Sequence, residues 1–252
     1  MPKQSHARAS NRRELSQNFL HDTHVVTQMC DLLDGSPLPV LELGAGAGSL
    51  TRELVRRGHR VTVELDPHWT AVLRRRFGPS VRVVRADMLR FRFPHEPHNV
   101  VSNAPYGITT ALLRTLLRQR AWELAALMVQ WEVARKRSGA SMLTASWWPW
   151  YEITLVRRVP AGAFRPVPRV DSGLLRIERR AAELLPDSER HEYQRFVRSV
   201  FTGRGVGLNG ILRRHLSGPA IRRWAQDQDA DLTGLPRDLS ARQWVALYRA
   251  AA

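Results

Sequence analysis

Residues 40–50 read VLELGAGAGSL. Four residues, three of them aliphatic, run into glycines at every second position, and an amphipathic stretch follows. A short apolar run is a buried strand. Alternate glycines let the backbone bend tightly and approach a ligand, and the amphipathic stretch starts a helix. This strand, glycine turn and helix open a doubly wound parallel sheet, whose ligands bind at the carboxyl ends of its strands. A nicotinamide fingerprint would space its glycines G-x-G-x-x-G. Here Gly44, Gly46 and Gly48 are spaced G-x-G-x-G, and Ser49 stands where the third glycine belongs, so a dinucleotide is not the indicated ligand.

Outward from this turn, apolar runs alternate with helical spacing. RVTVEL (60–65), VRVV (81–84), NVVS (99–102) and LAALMV (124–129) read as strands; 48–57, 67–77 and 107–119 read as helices, with another starting at Asp22. Strands that are apolar on both faces and separated by helices indicate a parallel α/β sheet. LLRIERR, after the Pro-rich stretch AGAFRPVPRVDSG (161–173), reads as the last strand. Beyond 184 the chain turns helical, with Ser240 and Gln243 in capping-box spacing. The expected organisation is a basic arm at 1–13, an α/β domain at 14–184 and a small helical domain at 185–252.

The 252 residues carry a formal net charge of +16, and Lys3 and Lys136 are the only lysines among the 39 basic residues. Arginine forks match phosphate geometry, and such an excess points to nucleic acid. Cys30 is the single cysteine, which excludes an internal disulfide. The pairs His21/His24 and His95/His98 lack a ligand set, so no metal is expected. The basic N-terminus has no apolar core of a signal peptide and no run approaches membrane-spanning length, so a cytoplasmic protein without membrane contact is expected.

Glu64 ends the second strand of this sheet, where a carboxylate can accept both hydroxyls of a ribose. Asp87 follows the third, where one can accept from an adenine amine. Either acid alone reads as a helix cap. In order after the glycine turn, they describe a pocket for adenosine without a phosphate site, which S-adenosylmethionine fits. The set LSQNFL (15–20), ELGAGAGSLT, VELD (63–66), RADML (85–89), SNAPY (102–106), QWEVARKR (130–137) and FRPVPRVDS (164–172) resembles the Erm and KsgA superfamily of rRNA adenine N6-methyltransferases. The resemblance covers almost the whole chain. It implies a Rossmann-like class I methyltransferase of seven mostly parallel strands, the last antiparallel, with a small C-terminal helical domain that binds RNA. It also implies that Asn18, Leu20, Gly44 and Gly46 contact the cofactor, that Glu64 holds the ribose and Asp87 the adenine, and that Asn103 lies beside the methyl donor.

In SNAPY, the Asn103 side-chain oxygen and the carbonyl of Ala104 or Pro105 can accept both hydrogens of an adenine amine, while Pro105 holds the turn. Tyr106 offers a face on which a flipped base stacks. Phe164 is the candidate for the other face, against its reading as a hydrophobic plug, and SWWPWYEI (146–153) reads as core and sheet surface. Ser16 before Gln17 and the run FTGRGVGLNGILRRHL resemble the Erm branch. That branch implies an adenine in domain V of 23S rRNA, modified by a monomer before the ribosome is fully assembled, and resistance to macrolides, lincosamides and streptogramin B. The alternatives are a 16S rRNA dimethyltransferase and a non-catalytic nucleic-acid-binding protein on the same scaffold.

Overall fold

A computed structural model describes residues 18–59 and 61–251. The arm at 1–13 and the Ser16–Gln17 step lie outside the described residues. The strands are β1 (Phe19–Leu20), β2 (Val40–Leu43), β3 (Val61–Glu64), β4 (Arg82–Arg85), β5 (His98–Ser102), β6 (Trp122–Gln130), β7 (Tyr151–Val159), β8 (Phe164–Arg165) and β9 (Ser172–Arg179). Seven form one sheet in the order β4-β3-β2-β5-β6-β9-β7, and β1 pairs with β8 in a separate antiparallel ribbon. From β4 to β6 every pairing is parallel, and β9 runs antiparallel to β6.

Every residue of β2 and of β5 is buried, as expected for central parallel strands covered on both faces. The chain moves outward from β2 to β4 and then returns to lay β5 on the other side of β2. That reversal leaves a crevice beyond the carboxyl ends of β2 and β5, the place where open α/β sheets bind ligands. In register, Leu43 of β2 lies between Val63 of β3 and Ser102 of β5, and the Ser102 hydroxyl donates to the Leu43 carbonyl at 2.7 Å. The turns after these strands therefore start level with one another.

Local chemistry sets the flanking helices. Asp66 accepts from the His68 amide at 2.7 Å and Pro67 occupies the first turn, which starts the helix Pro67–Phe77. No side chain caps Ser49–Arg56, because its cap is Gly48 at φ 84°. Leu20, Met29, Leu54, Val101, Met128 and Leu174 belong to one buried core cluster, and Leu73, Val81 and Val83 to a second.

By contact the chain groups into two units, Met1–Ala134 with Thr154–Glu178, and Arg135–Ile153 with Arg179–Ala252. Residues 135–153, expected within an α/β domain ending at 184, pack with the second unit. The reason is aromatic. Trp150 meets Tyr193 edge-on at 5.8 Å, Tyr193 meets Tyr248 at 5.4 Å, and the Tyr193 hydroxyl donates to the Ala145 carbonyl at 3.0 Å. The Arg190 guanidinium sits 5.1 Å from the ring centres of both Trp147 and Trp150. The tryptophan run is therefore core of a helical unit that includes Arg190–Phe201, Gly207–Leu212, Gly218–Asp227 and Ala241–Ala251. The capping box forms: Gln243 N donates to Ser240 Oγ at 3.3 Å and Ser240 N to Gln243 Oε1 at 2.8 Å.

Candidate active site

The glycine turn after β2 uses left-handed backbone, with Gly44 at φ 76° and Gly46 at φ 53°. A side chain at Gly44 would strike the Met88 methyl at 2.6 Å, and one at Gly46 would press on the Phe19 ring at 3.0 Å. The Gly46 amide donates to Glu64 Oε2 at 2.7 Å, and the Asp66 amide donates to Glu64 Oε1 at 2.8 Å. Glu64 is thus a buried carboxylate clamped by two amides at the end of β3, and each oxygen keeps a lone pair for another donor. Asp87, after β4, accepts from the Leu89 amide at 2.9 Å.

Asn18, Leu20, Gly44, Gly46, Glu64, Asp87, Asn103 and Pro105 all line one cleft. Every residue expected to touch a cofactor is therefore brought together. Sequence reasoning missed Phe19, Leu65, Met88 and Ile108, which supply apolar wall to the same cleft. A usable signal existed: Leu65 and Met88 each directly follow an acid at a strand end, where an apolar neighbour can cover the face of a bound base.

Asn103 is held by a contact 85 residues away in sequence: its Nδ2 donates to the Asn18 carbonyl at 3.2 Å. This turns Oδ1 away from Asn18. The Pro105 carbonyl accepts from the Ile108 amide at 3.1 Å, closing the turn. Tyr106 is half-buried, and its hydroxyl shares a 2.6 Å hydrogen bond with Ser172 Oγ at the start of β9. Burial raises the phenol above its ordinary pKa, so it stays neutral at physiological pH.

Phe164 is not brought to the cleft. It is fully buried in the core cluster with Val26, Met29 and Leu174, opposite Leu20 in the β1–β8 ribbon. An apolar ring beside a two-stranded ribbon gains more from burial there than from standing in solvent. Two other acidic or nucleophilic groups are closed off. Glu42 in β2 is fully buried with Thr51 donating to it at 2.7 Å, and burial pushes its carboxyl up to about 7. Burial likewise pushes the Cys30 thiol up to about 12, so it is inert near neutrality. Among the described residues no group of three or more His, Cys, Asp or Glu could hold a metal, and no helix is long and apolar enough to cross a membrane.

The model of the ribosomal RNA adenine dimethylase family matches residues 8–249. Over 243 residues the chain is 52% identical to the mycinamicin-resistance protein MyrB of Micromonospora griseorubida, covering 94% of this chain and 78% of that one. It is 42% identical to an rRNA adenine N-6-methyltransferase of Corynebacterium diphtheriae, covering 81% and 82% respectively. Among solved structures, the 23S rRNA methyltransferase ErmE superposes with a TM-score of 0.86 at 33% identity, over 93% of this chain and 99% of that one. A dimethyladenosine transferase from Plasmodium falciparum, at 20% identity and a TM-score of 0.73, shares the fold over 91% of this chain and 95% of its own.

Proposed function

The chain belongs to the ribosomal RNA adenine dimethylase family and is an S-adenosylmethionine-dependent rRNA adenine N6-methyltransferase; on that premise we propose that its target is an adenine of domain V of 23S rRNA, and that methylation there protects a ribosome from macrolides, lincosamides and streptogramin B. The observation that carries the reading is the convergence of the Asn103–Pro105 turn with Glu64 and Asp87 on one cleft. The family's name gives the substrate class, and the relatives named for mycinamicin resistance and for 23S rRNA support the finer assignment.

The residues present fit the cofactor. Glu64 offers two clamped oxygens to the ribose hydroxyls, Asp87 accepts from the adenine amine, and Asn18, Leu20, Gly44 and Gly46 take the amino-acid end. Leu65 and Met88 cover the adenine. Bound S-adenosylmethionine supplies an electrophilic methyl group on a sulfonium, so the protein contributes alignment rather than activation of that group. Adenine N6 is a poor nucleophile because its lone pair is delocalised into the ring. Asn103 Oδ1 accepts one amine hydrogen. The carbonyl of Ala104 or Pro105 accepts the other. Two acceptors on the amine favour a pyramidal nitrogen whose lone pair points along the transfer axis. Tyr106 stacks on the target base, its ring plane set by Ser172.

On this reading the protein acts as a monomer. Exposed arginines such as Arg195, Arg198, Arg213, Arg214, Arg222 and Arg223 on the second unit bind rRNA phosphates. Affinity for RNA should then fall linearly with salt on logarithmic axes.

The deciding experiment offers purified 23S and 16S rRNA with labelled cofactor and maps the product. N6-methyladenine confined to domain V of 23S rRNA, with survival of erythromycin by an expressing bacterium, is the expected result. Label on 16S rRNA with no survival would assign the chain to ribosome biogenesis instead.

A further inference from the structure

RPVPRV, residues 165–170, leads from β8 toward β9, and the chain at either end of it contacts the site. Arg165 is the register partner of Phe19, which lines the cleft. Beyond the other end, Ser172 bonds the Tyr106 hydroxyl. Asp171 pins that end. Its Oδ1 accepts from the Ala161 amide at 2.9 Å, its Oδ2 from Arg158 Nε at 2.7 Å, and its carbonyl from the Trp131 amide at 2.9 Å. Pro166 and Pro168 restrict the backbone between. The loop is an anchored arch beside the turn that receives the target base.

Its surface is unlike an ordinary polar loop. Val167 is 65% exposed and Val170 47%, and Arg165 and Arg169 stand exposed among them. Valines presented to water on a segment tied down at its ends add nothing to the core, and these lie between the strand that pairs with the cleft-lining Phe19 and the serine that bonds Tyr106. The arginines give that surface the charge to meet a polyanion.

An adenine stacked in a helix must leave its neighbours to reach Asn103, at a cost of a few kcal/mol. Apolar side chains inserted between bases offset such a cost by occupying the space left behind. We propose that Val167 and Val170 are this wedge. The partner is the rRNA strand carrying the target: the valines contact the bases that flanked the adenine, and Arg165 and Arg169 hold phosphates beside the gap. The inference rests on the cleft being a base-methylating site, and it adds residues that govern access of the base rather than its chemistry.

The test uses two rRNA-derived oligonucleotides, one with the target adenine paired in a stem and one with it in an unpaired strand, on the wild type and on V167S/V170S. In parallel, 2-aminopurine replaces the target to report unstacking by fluorescence. In the double variant the ratio of methyl transfer to paired over unpaired RNA should fall about tenfold, a difference of about 1.4 kcal/mol, and the 2-aminopurine signal from paired RNA should fall with it. V167L, still apolar, should keep both near wild type. The R165Q/R169Q variant should weaken binding of both RNAs and flatten the salt dependence. An unchanged ratio and an unchanged 2-aminopurine signal in a folded V167S/V170S protein would overturn the wedge while leaving the methyltransferase reading in place. Absence of transfer by the wild type to either RNA would instead remove that reading, and the wedge with it.

Discussion

The turn after β5 and the tryptophan run at 147–150 both set aromatic rings beside polar groups, yet the turn contributes Asn103 and Pro105 to a cleft wall while Trp147 and Trp150 are buried. Tyr106 is half-buried, follows the cleft-lining Pro105 in the chain without itself being among the lining residues, and is tethered through its hydroxyl to Ser172. Trp150 is fully buried, and the place beside its ring is taken by the protein's own Arg190 guanidinium, which also faces Trp147 and is paired with Asp187. An arginine against tryptophan in an arginine-rich chain suggests a platform for RNA bases. In the second unit that geometry is closed on itself and serves packing. Accessibility, not residue type, separates a stacking site from a core.

Truncating Trp150 should show the largest effect. Trp150→Ala is expected to cost about 3–5 kcal/mol of stability, as for other large buried aromatics, measured by chemical unfolding. RNA affinity per folded molecule should hold. Lost affinity without lost stability would place Trp150 among the RNA contacts and break the contrast.

Asn103→Ala reverses the pattern. Methyl transfer should drop on the order of 10²–10³-fold, the scale for removing one aligned polar group at a reacting centre. Cofactor affinity by calorimetry and the unfolding midpoint should barely move. Near-normal turnover would dismiss the acceptor role.

Glu42 and Glu64 repeat the comparison with carboxylates on adjacent strands. Glu42 is closed in and its carboxyl sits at about 7 rather than 4.5. The folded state then keeps a proton that the unfolded chain releases, so this group's contribution to stability is fully present below about pH 4.5 and is lost as pH rises toward 7. Glu42→Gln should remove that slope, a span on the order of 3 kcal/mol between the two limits, read as the difference between mutant and wild-type urea titrations. Parallel titrations would refute the buried-acid description.

The smallest expected effect is at the glycine turn. Gly44→Ala forces a side chain into left-handed backbone, which costs about 1–2 kcal/mol, and pushes on Met88 in the cleft wall. Met88 is flexible enough to yield, so stability should fall by about that amount while cofactor affinity drops roughly tenfold. Equal affinity in the mutant would separate the turn from the cofactor site.

Much of the site was legible because its signals are local. A glycine at φ 76° after a buried strand, an acid at the end of the next strand and an Asn-x-Pro turn after another can each be read within a few residues. Strand β7 was harder, since Trp147–Pro149 mask its start and Arg157–Arg158 its end. Phe164 could be read as a base-stacking ring or as a plug, because an aromatic before a proline has the same local sequence in either role.

By itself the sequence determined the α/β class, the parallel order of its leading strands, the positions of Glu64, Asp87 and Asn103, and an attraction to polyanions. Strand period, turn chemistry and charge are properties of neighbours along the chain. Only the tertiary structure decided that Phe164 belongs to the core, that residues 135–153 pack with the second unit, that Arg190 fills the space between two tryptophans, and that the Asn18 carbonyl aims Asn103. These depend on groups brought together from distant parts of the chain, and burial, which sets the role of each ring and each carboxylate, exists only once those parts have met.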